Sequence, residues 1–282
     1  MRDQAISFFD GNAVIGRPAS PTFGSWLSSQ SLLAELDQFG IDEALIAHVH
    51  SQELDGVAGN HLAFKAAASS PRLHVQAALF PRFGKGARAA IAQELDALTR
   101  AGCMAVRLHP NPTHHIMDDG VYARQYELTP TMAGTMLEAL EARRIPVFVE
   151  LAQTNWREIA DVCRAYPELP LVAVNVSYTH KRSLFALFDA VDNFFCDTSC
   201  FHAYRGLEEA CELFGSGRFV FGTRSPAYNP LAAKALVLYA EIDDAAKAAI
   251  AGDNLRGLLR RARTASDATT ADSETEKEKV KR

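Results

Sequence analysis

The sequence predicts an α/β fold, a (β/α)8 TIM barrel of eight parallel strands with outer helices. Eight short apolar runs recur at intervals of roughly 25 to 40 residues, and stretches with helical spacing of apolar residues lie between them. The length of 282 residues is usual for one such barrel and long for a single sandwich or helix bundle.

The runs start near Ile6 (ISFFD), Ala44 (ALIAHVH), Leu73 (LHVQAAL), Met104 (MAVRLH), Pro146 (PVFVEL), Leu171 (LVAVNV), Phe194 (FFCDTS) and Phe219 (FVFGT). Each is rich in Val, Ile, Phe and Leu, as a strand covered on both faces should be. Between them, Ile91, Leu95 and Leu98 make one apolar stripe and Met132, Met136 and Leu140 a second. Leu207, Cys211 and Phe214 make a third, and Leu184, Leu187, Phe188 and Val191 a fourth. Ser28 and Ser29 precede the first helix, Thr154 and Asn155 precede another, and Gly40 follows the first as its C-cap. A doubly wound sheet is the runner-up, but no GxGxxG or P-loop follows any run, which weakens its nucleotide-binding versions.

Composition narrows the partners. The chain is 48% hydrophobic and 22% charged with a net charge of −5, and no Lys/Arg block interrupts the barrel region. These values argue against nucleic acid or an anionic membrane as partner. No apolar run approaches the roughly 20 residues needed to span a bilayer, and the polar opening Met1-Arg2-Asp3-Gln4 predicts a chain without a signal peptide. Five cysteines without a CxxC pair fit reduced thiols in a cytoplasmic enzyme better than a disulfide framework. The barrel is expected over residues 1–263. The tail 264–282, built from small polar and charged residues, is expected to be disordered.

A barrel builds its active site at the C-terminal ends of its strands. Reading the end of each run gives Asp10 and Asn12, His48 and His50, Arg107 and His109, Glu150, Asn175, Asp197 with Thr198 and Ser199, and Thr223 with Arg224. Ionisable side chains inside apolar runs are costly to bury, so each needs a partner or a role. His48 and His50 alternate along one strand and are expected to share a face. His114 and His115 form a loop pair more often solvated than ligating, and Trp26 and Tyr228 either line a pocket wall or cap the core. Cys196 and Cys200 read as buried core, and no base accompanies Ser199 in any serine-hydrolase motif.

The order of segments resembles the amidohydrolase-related branch of the amidohydrolase superfamily. FFDGNAVIGRP sits where that family carries a first-strand Asp-x-His-x-His, and MAVRLHP, PVFVEL and LVAVNVSY resemble its fourth, fifth and sixth strands. FVFGTRSP and IAGDNLRGLL resemble its eighth strand and closing helix. The resemblance spans residues 5 to 262 and implies hydrolysis or, in some members, decarboxylation. Carried over position by position, the family's metal ligands fall on Asn12, Val14, Glu150, Asn175 and Arg224. Zinc favours His nitrogen, Cys sulfur and carboxylate oxygen, so no bound metal and no other cofactor is expected.

The expectation for function is therefore a hydrolase working without the usual metal on a small anionic substrate, such as a lactone, ester or amide of a carboxylic acid. Arg107, His109 and Arg224 would orient the anion, and Glu150 or Asp10 would act as general base. Asn12, Asn175, His48, His50 and Asp197 would line the substrate site. Arg224 is expected to project into the former metal position and pair with Glu150, Asp10 or both. The alternative is a catalytically silent barrel that binds a metabolite or a partner protein. A metal displaced onto Glu150 and His109 is the weakest option. A homo-oligomer is compatible with the sequence.

Overall fold

The computed structural model describes residues 6–19, 26–111 and 125–262. His114, His115 and the polar tail lie outside the described residues. The chain runs through β1 (Phe9–Ile15), α1 (Ser29–Phe39), β2 (Glu43–His48), α2 (His50–Glu53), α3 (Gly56–Ala67), β3 (Leu73–Ala78), α4 (Ala87–Arg100) and β4 (Cys103–Leu108). It continues through α5 (Pro130–Ala142), β5 (Val147–Glu150), α6 (Trp156–Ala165), β6 (Leu171–Val174), α7 (Lys181–Ala190), β7 (Phe194–Asp197), α8 (Gly206–Phe214) and β8 (Phe219–Val220), then α9 (Pro230–Leu238) and α10 (Asp244–Ala248).

The eight strands form one sheet in the order β1 to β8, with every neighbouring pair parallel. Sequential order without a switch point is the barrel topology and rules out the doubly wound alternative. The seam between the first and last strands is held by main-chain hydrogen bonds, from Gly11 N to Phe221 O at 2.8 Å and from Val14 N to Ser225 O at 2.9 Å.

Strand alternation sorts the core into two layers. Ala44 and Ile46, Val106 and Leu108, Val147 and Val149, and Phe194 and Cys196 join the large cluster between sheet and helices. Residues of the opposite parity, Leu45, Ala105, Phe148, Val172 and Val220, join an inner cluster with Leu255, Leu258 and Leu259. Burying each large side chain stabilises the fold by about 1.5–3 kcal/mol. The last three belong to the closing helix, which follows a π-turn at Ala249–Asp253. Asn254 Nδ2 fixes that helix to β8 by donating to Ser216 O at 2.8 Å and Phe219 O at 2.7 Å.

The helix signals hold at Ser28, which caps α1 by accepting from Ser31 N, at Gly40, a left-handed C-cap with φ 59, and at Asn155, which caps α6. Three expectations need correction. Strand one does not end at Asp10 but runs to Ile15, through a register shift between Asp10 and Ala13. The Asp-Gly-Asn stretch continues the strand because its polar groups are satisfied, with Asn12 N donating to Asp10 Oδ1 at 2.9 Å. His48 and His50 do not share a strand: His48 ends β2 and His50 begins α2. Met132 is exposed, and the buried stripe of α5 is Ala133, Met136, Leu137 and Leu140.

Candidate active site at the barrel mouth

Four of the strand-end residues meet in one buried network around Asn12. Its Nδ2 donates to Asp197 Oδ2 at 2.7 Å and to Asn175 Oδ1 at 2.9 Å, and its Oδ1 accepts from Arg107 Nη1 at 2.9 Å. Asn175 N donates to the other Asp197 oxygen at 2.9 Å, and Ser199 Oγ donates to Asn175 Oδ1 at 3.2 Å. Strand parity aims these groups inward: Arg107 follows Ala105 by two residues, and Asp197 follows Phe195 by two. Gly222 makes room for them, since a Cβ there would lie 2.6 Å from Asp197 Oδ2 and 3.1 Å from Asn12 Cβ. Burial raises the Asp197 pKa, opposed by its hydrogen bonds and by Arg107. Burial lowers the Arg107 pKa, while Glu150 and Asp197 oppose that loss of charge and Arg224 adds to it.

The second group is nearer solvent. Arg224 Nη2 pairs with Glu150 Oε1 at 3.3 Å, with side-chain exposures of 32% and 14%. Its Nη1 donates to the Tyr228 hydroxyl at 3.2 Å, and the guanidinium carbon stands 5.0 Å from the Tyr228 ring centre. Burial works against the Arg224 charge, but Glu150, Cys200 and Tyr228 outweigh it and the pKa is raised. Both Arg224 (φ 57) and Asn175 (φ 61) adopt left-handed backbone. Asn tolerates that region, whereas Arg is strained there by about 1–2 kcal/mol.

Asp10 touches the first group only through the Asn12 main chain. Its Oδ1 accepts from Thr223 N at 3.0 Å as well as from Asn12 N, and its Oδ2 meets Thr223 Oγ1 at 2.5 Å. Among the described residues Arg224 therefore pairs with Glu150 and not with Asp10, and Asp10 ties the barrel seam. His109 is also differently employed. Burial, then the neighbouring Arg107 charge, lowers its pKa to about 3 against the opposing effect of Gln153, so it brings no positive charge to an anion at neutral pH. His48 shares the parity of Ala44 and Ile46, which face the helices, and its ring lies where a Cβ on Gly16 would fall. The His48 and His50 rings stack edge to face at 4.6 Å, and burial followed by the His50 charge lowers the His48 pKa to about 4. Both loop aromatics are exposed, and Tyr228 joins Arg224.

Reading only the last residues of each run passes over Ser51, Tyr126, Gln153 and Gly222. Gln76 carried a visible signal, a buried amide in the middle of LHVQAAL. Gln153 and Ser51 lie in short helical turns just beyond their strands, where no periodicity marks them.

The donor set at the resemblance's metal positions does not suit a divalent cation. The Asn12 carbonyl oxygen is spent on Arg107 and that of Asn175 on Asn12 and Ser199, Val14 has no donor, and a guanidinium lies against Glu150. Among the described residues, no group of three or more His, Cys, Asp or Glu side chains could hold a metal ion.

Comparison with known proteins agrees with this architecture. The 2,6-dihydroxybenzoate decarboxylase from Rhizobium matches with a TM-score of 0.71 at 15% identity, covering 90% of this chain and 98% of that one. The 5-carboxyvanillate decarboxylase from Novosphingobium aromaticivorans, solved with manganese and 4-hydroxy-3-methoxy-5-nitrobenzoic acid, matches at 0.70 and 11% identity, covering 92% and 97%. The 4-oxalomesaconate hydratase from Rhodopseudomonas palustris matches at 0.64 and 15% identity, covering 94% and 99%. Identities this low bear on the fold alone. No curated protein matches the sequence. The family model described as amidohydrolase matches residues 30–261, and over that span the chain belongs to the amidohydrolase family.

Proposed function

We propose that this amidohydrolase-family barrel is an enzyme acting on a small carboxylate substrate at the C-terminal mouth of the barrel, without the usual metal centre. The observation that carries the reading is the Arg224–Glu150 pair at 3.3 Å, a cation and a carboxylate held together at a strand end where the resemblance expects a metal. Arg107 and Arg224 lie close enough for the Arg224 charge to lower the Arg107 pKa, and a guanidinium suits the planar fork of a carboxylate.

Hydrolysis of a lactone, ester or amide of a carboxylic acid fits these groups. The arginines hold the substrate anion and the oxyanion that develops at the attacked carbonyl. Among the described residues only one Glu150 oxygen is engaged by Arg224, leaving the other to take a proton from the attacking water. Collapse of the tetrahedral adduct then returns that proton to the leaving oxygen or nitrogen. Asp10 has no part in this step. Decarboxylation, the activity for which two of the structural neighbours are named, is the competing outcome on the same anion. The saturated network around Asn12 favours a second reading, a barrel that binds a carboxylate without turning it over.

Elemental analysis of the purified chain, with thermal-shift screening and turnover assays on carboxylic acids, lactones and sugar acids, tests this. Metal-free protein stabilised by a carboxylate, with the response lost in Arg107→Ala and Arg224→Ala, supports the anion site. Stoichiometric zinc or manganese overturns the metal-free reading, and binding without turnover leaves only the second.

A further inference from the structure

Buried polar atoms without partners gather beside the anion site. Among the described residues, His109 Nδ1, the Tyr126 hydroxyl, Asn111 Oδ1 and both amide atoms of Gln153 are buried and make no hydrogen bond, and the only other such atom is Gln76 Oε1. His109, Gln153 and Tyr126 are exposed by 2%, 1% and 6%. The Gln153 amide lies against the His109 side chain and the Tyr126 hydroxyl against the His109 main chain, neither in a well-made hydrogen bond. Native interiors leave few polar groups unpaired, so His109 Nδ1 and the Gln153 amide beside it mark a place where a polar group of another molecule fits.

The tautomer of His109 says which group. Ser51 Oγ has one hydrogen, and it is donated to His48 O at 2.8 Å. Ser51 Oγ therefore faces His109 Nε2, 3.4 Å away, as an acceptor, and the ring proton sits on Nε2. That leaves Nδ1 as a lone-pair acceptor beside the Gln153 amide. Ser51 is held in place from behind, because α3 presses on it at Gly59, where a Cβ would lie 2.2 Å from Ser51 N.

We propose that Ser51, His109 and Gln153 form a second subsite that takes a hydroxyl group of the substrate. The hydroxyl donates to His109 Nδ1 and accepts from Gln153 Nε2. The low His109 pKa keeps this acceptor uncharged at neutral pH. The inference rests on the reading that Arg107 and Arg224 hold a carboxylate, and together the two halves define a hydroxycarboxylate.

Calorimetric titration of the full chain with benzoate, its three monohydroxy isomers, the matching methoxy acids, butyrate and 3-hydroxybutyrate tests it. At least one hydroxy acid is expected to bind tenfold or more tightly than its parent and its methoxy counterpart, and Gln153→Leu and His109→Phe are expected to erase that advantage while the parent acid still binds. Equal affinities that all fall in Arg107→Met overturn the subsite and leave the anion site standing. Hydroxyl selectivity untouched by Arg107→Met overturns the anion site alone, and binding of none of these acids overturns both. Side-chain nitrogen NMR supplies a ligand-free check: a proton on Nε2 supports the subsite, and a proton on His109 Nδ1 overturns it.

Discussion

The Asp10 carboxylate and the Thr223 hydroxyl meet at 2.5 Å across the barrel seam, where β8 is only two residues long and little sheet remains to close the barrel. Asp10 makes up for the short strand by accepting two main-chain N–H groups and one hydroxyl. Burial raises its pKa from 3.8 to about 6, against the lowering effect of those hydrogen bonds. A carboxyl whose folded pKa is raised stabilises the fold below pH 3.8 and loses that contribution as pH rises through 6. Asp10→Asn has the same shape and does not titrate. The variant is therefore expected to gain on the parent by about 2 kcal/mol between pH 4 and pH 7, read from urea unfolding at both pH values. A constant difference would show that Asp10 stays ionised throughout. If Asp10 were the catalytic base instead, the substitution would abolish turnover.

His109 works in the opposite sense. Its folded pKa of about 3 lies below the ordinary 6.5, so its contribution is complete above pH 6.5 and is lost as pH falls towards 3. At pH 4 the unfolded chain binds a proton that the folded chain refuses. Parent protein should lose about 3 kcal/mol more than His109→Gln between pH 7 and pH 4. Half-buried His48 acts in the same direction but is common to both proteins and cancels. Parallel urea midpoints for the two proteins across that range would sink the claim.

Gly222 is required by contact. A methyl group there meets the Asp197 carboxylate at 2.6 Å, and that carboxylate is pinned by Asn12 and by the Asn175 main chain. Gly222→Ala is expected to cost about 1–3 kcal/mol, the usual range for overpacking. Guanidinium unfolding measures it, and a loss under about 0.5 kcal/mol would mean that Asp197 can move aside.

The same residues show how far the sequence could be read. Strands two to eight start within a residue or so of their apolar runs, because a strand buried on both faces must be apolar throughout and the run is its signature. Strand one is hidden because its polar Asp10-Gly11-Asn12 stretch looks like an ending. Only the bulge, with Asp10 capping Asn12 N, reveals that the strand continues. Strand ends located the site but not its wiring. Asn12 touching Asp197 spans 185 positions, and no local pattern encodes such a pairing. Glu150 meeting Arg224 was predictable in part, since two opposite charges at inward strand ends need each other. Nothing similar marked Gln153, whose neutral amide becomes informative only when it is found buried without a partner.

That pair offers the remaining test, because Arg224 is both strained and paired. Arg224→Met keeps a side chain at φ 57 and so leaves the backbone strain unchanged while removing the charge. Glu150, with a side chain 14% exposed, then lacks its counter-ion, and the expected loss is about 1–2 kcal/mol. Full burial of the pair would raise that to about 3–5 kcal/mol, but Arg224 reaches solvent and the smaller figure applies. Arg224→Gly loses the same pair and relaxes the left-handed backbone, so it should be more stable than Arg224→Met by about 1 kcal/mol. Combining Arg224→Met with Glu150→Gln isolates the interaction itself. A coupling energy near 1 kcal/mol in that double-mutant cycle is expected, and a coupling of zero would mean that the two charges share the mouth of the barrel without stabilising each other.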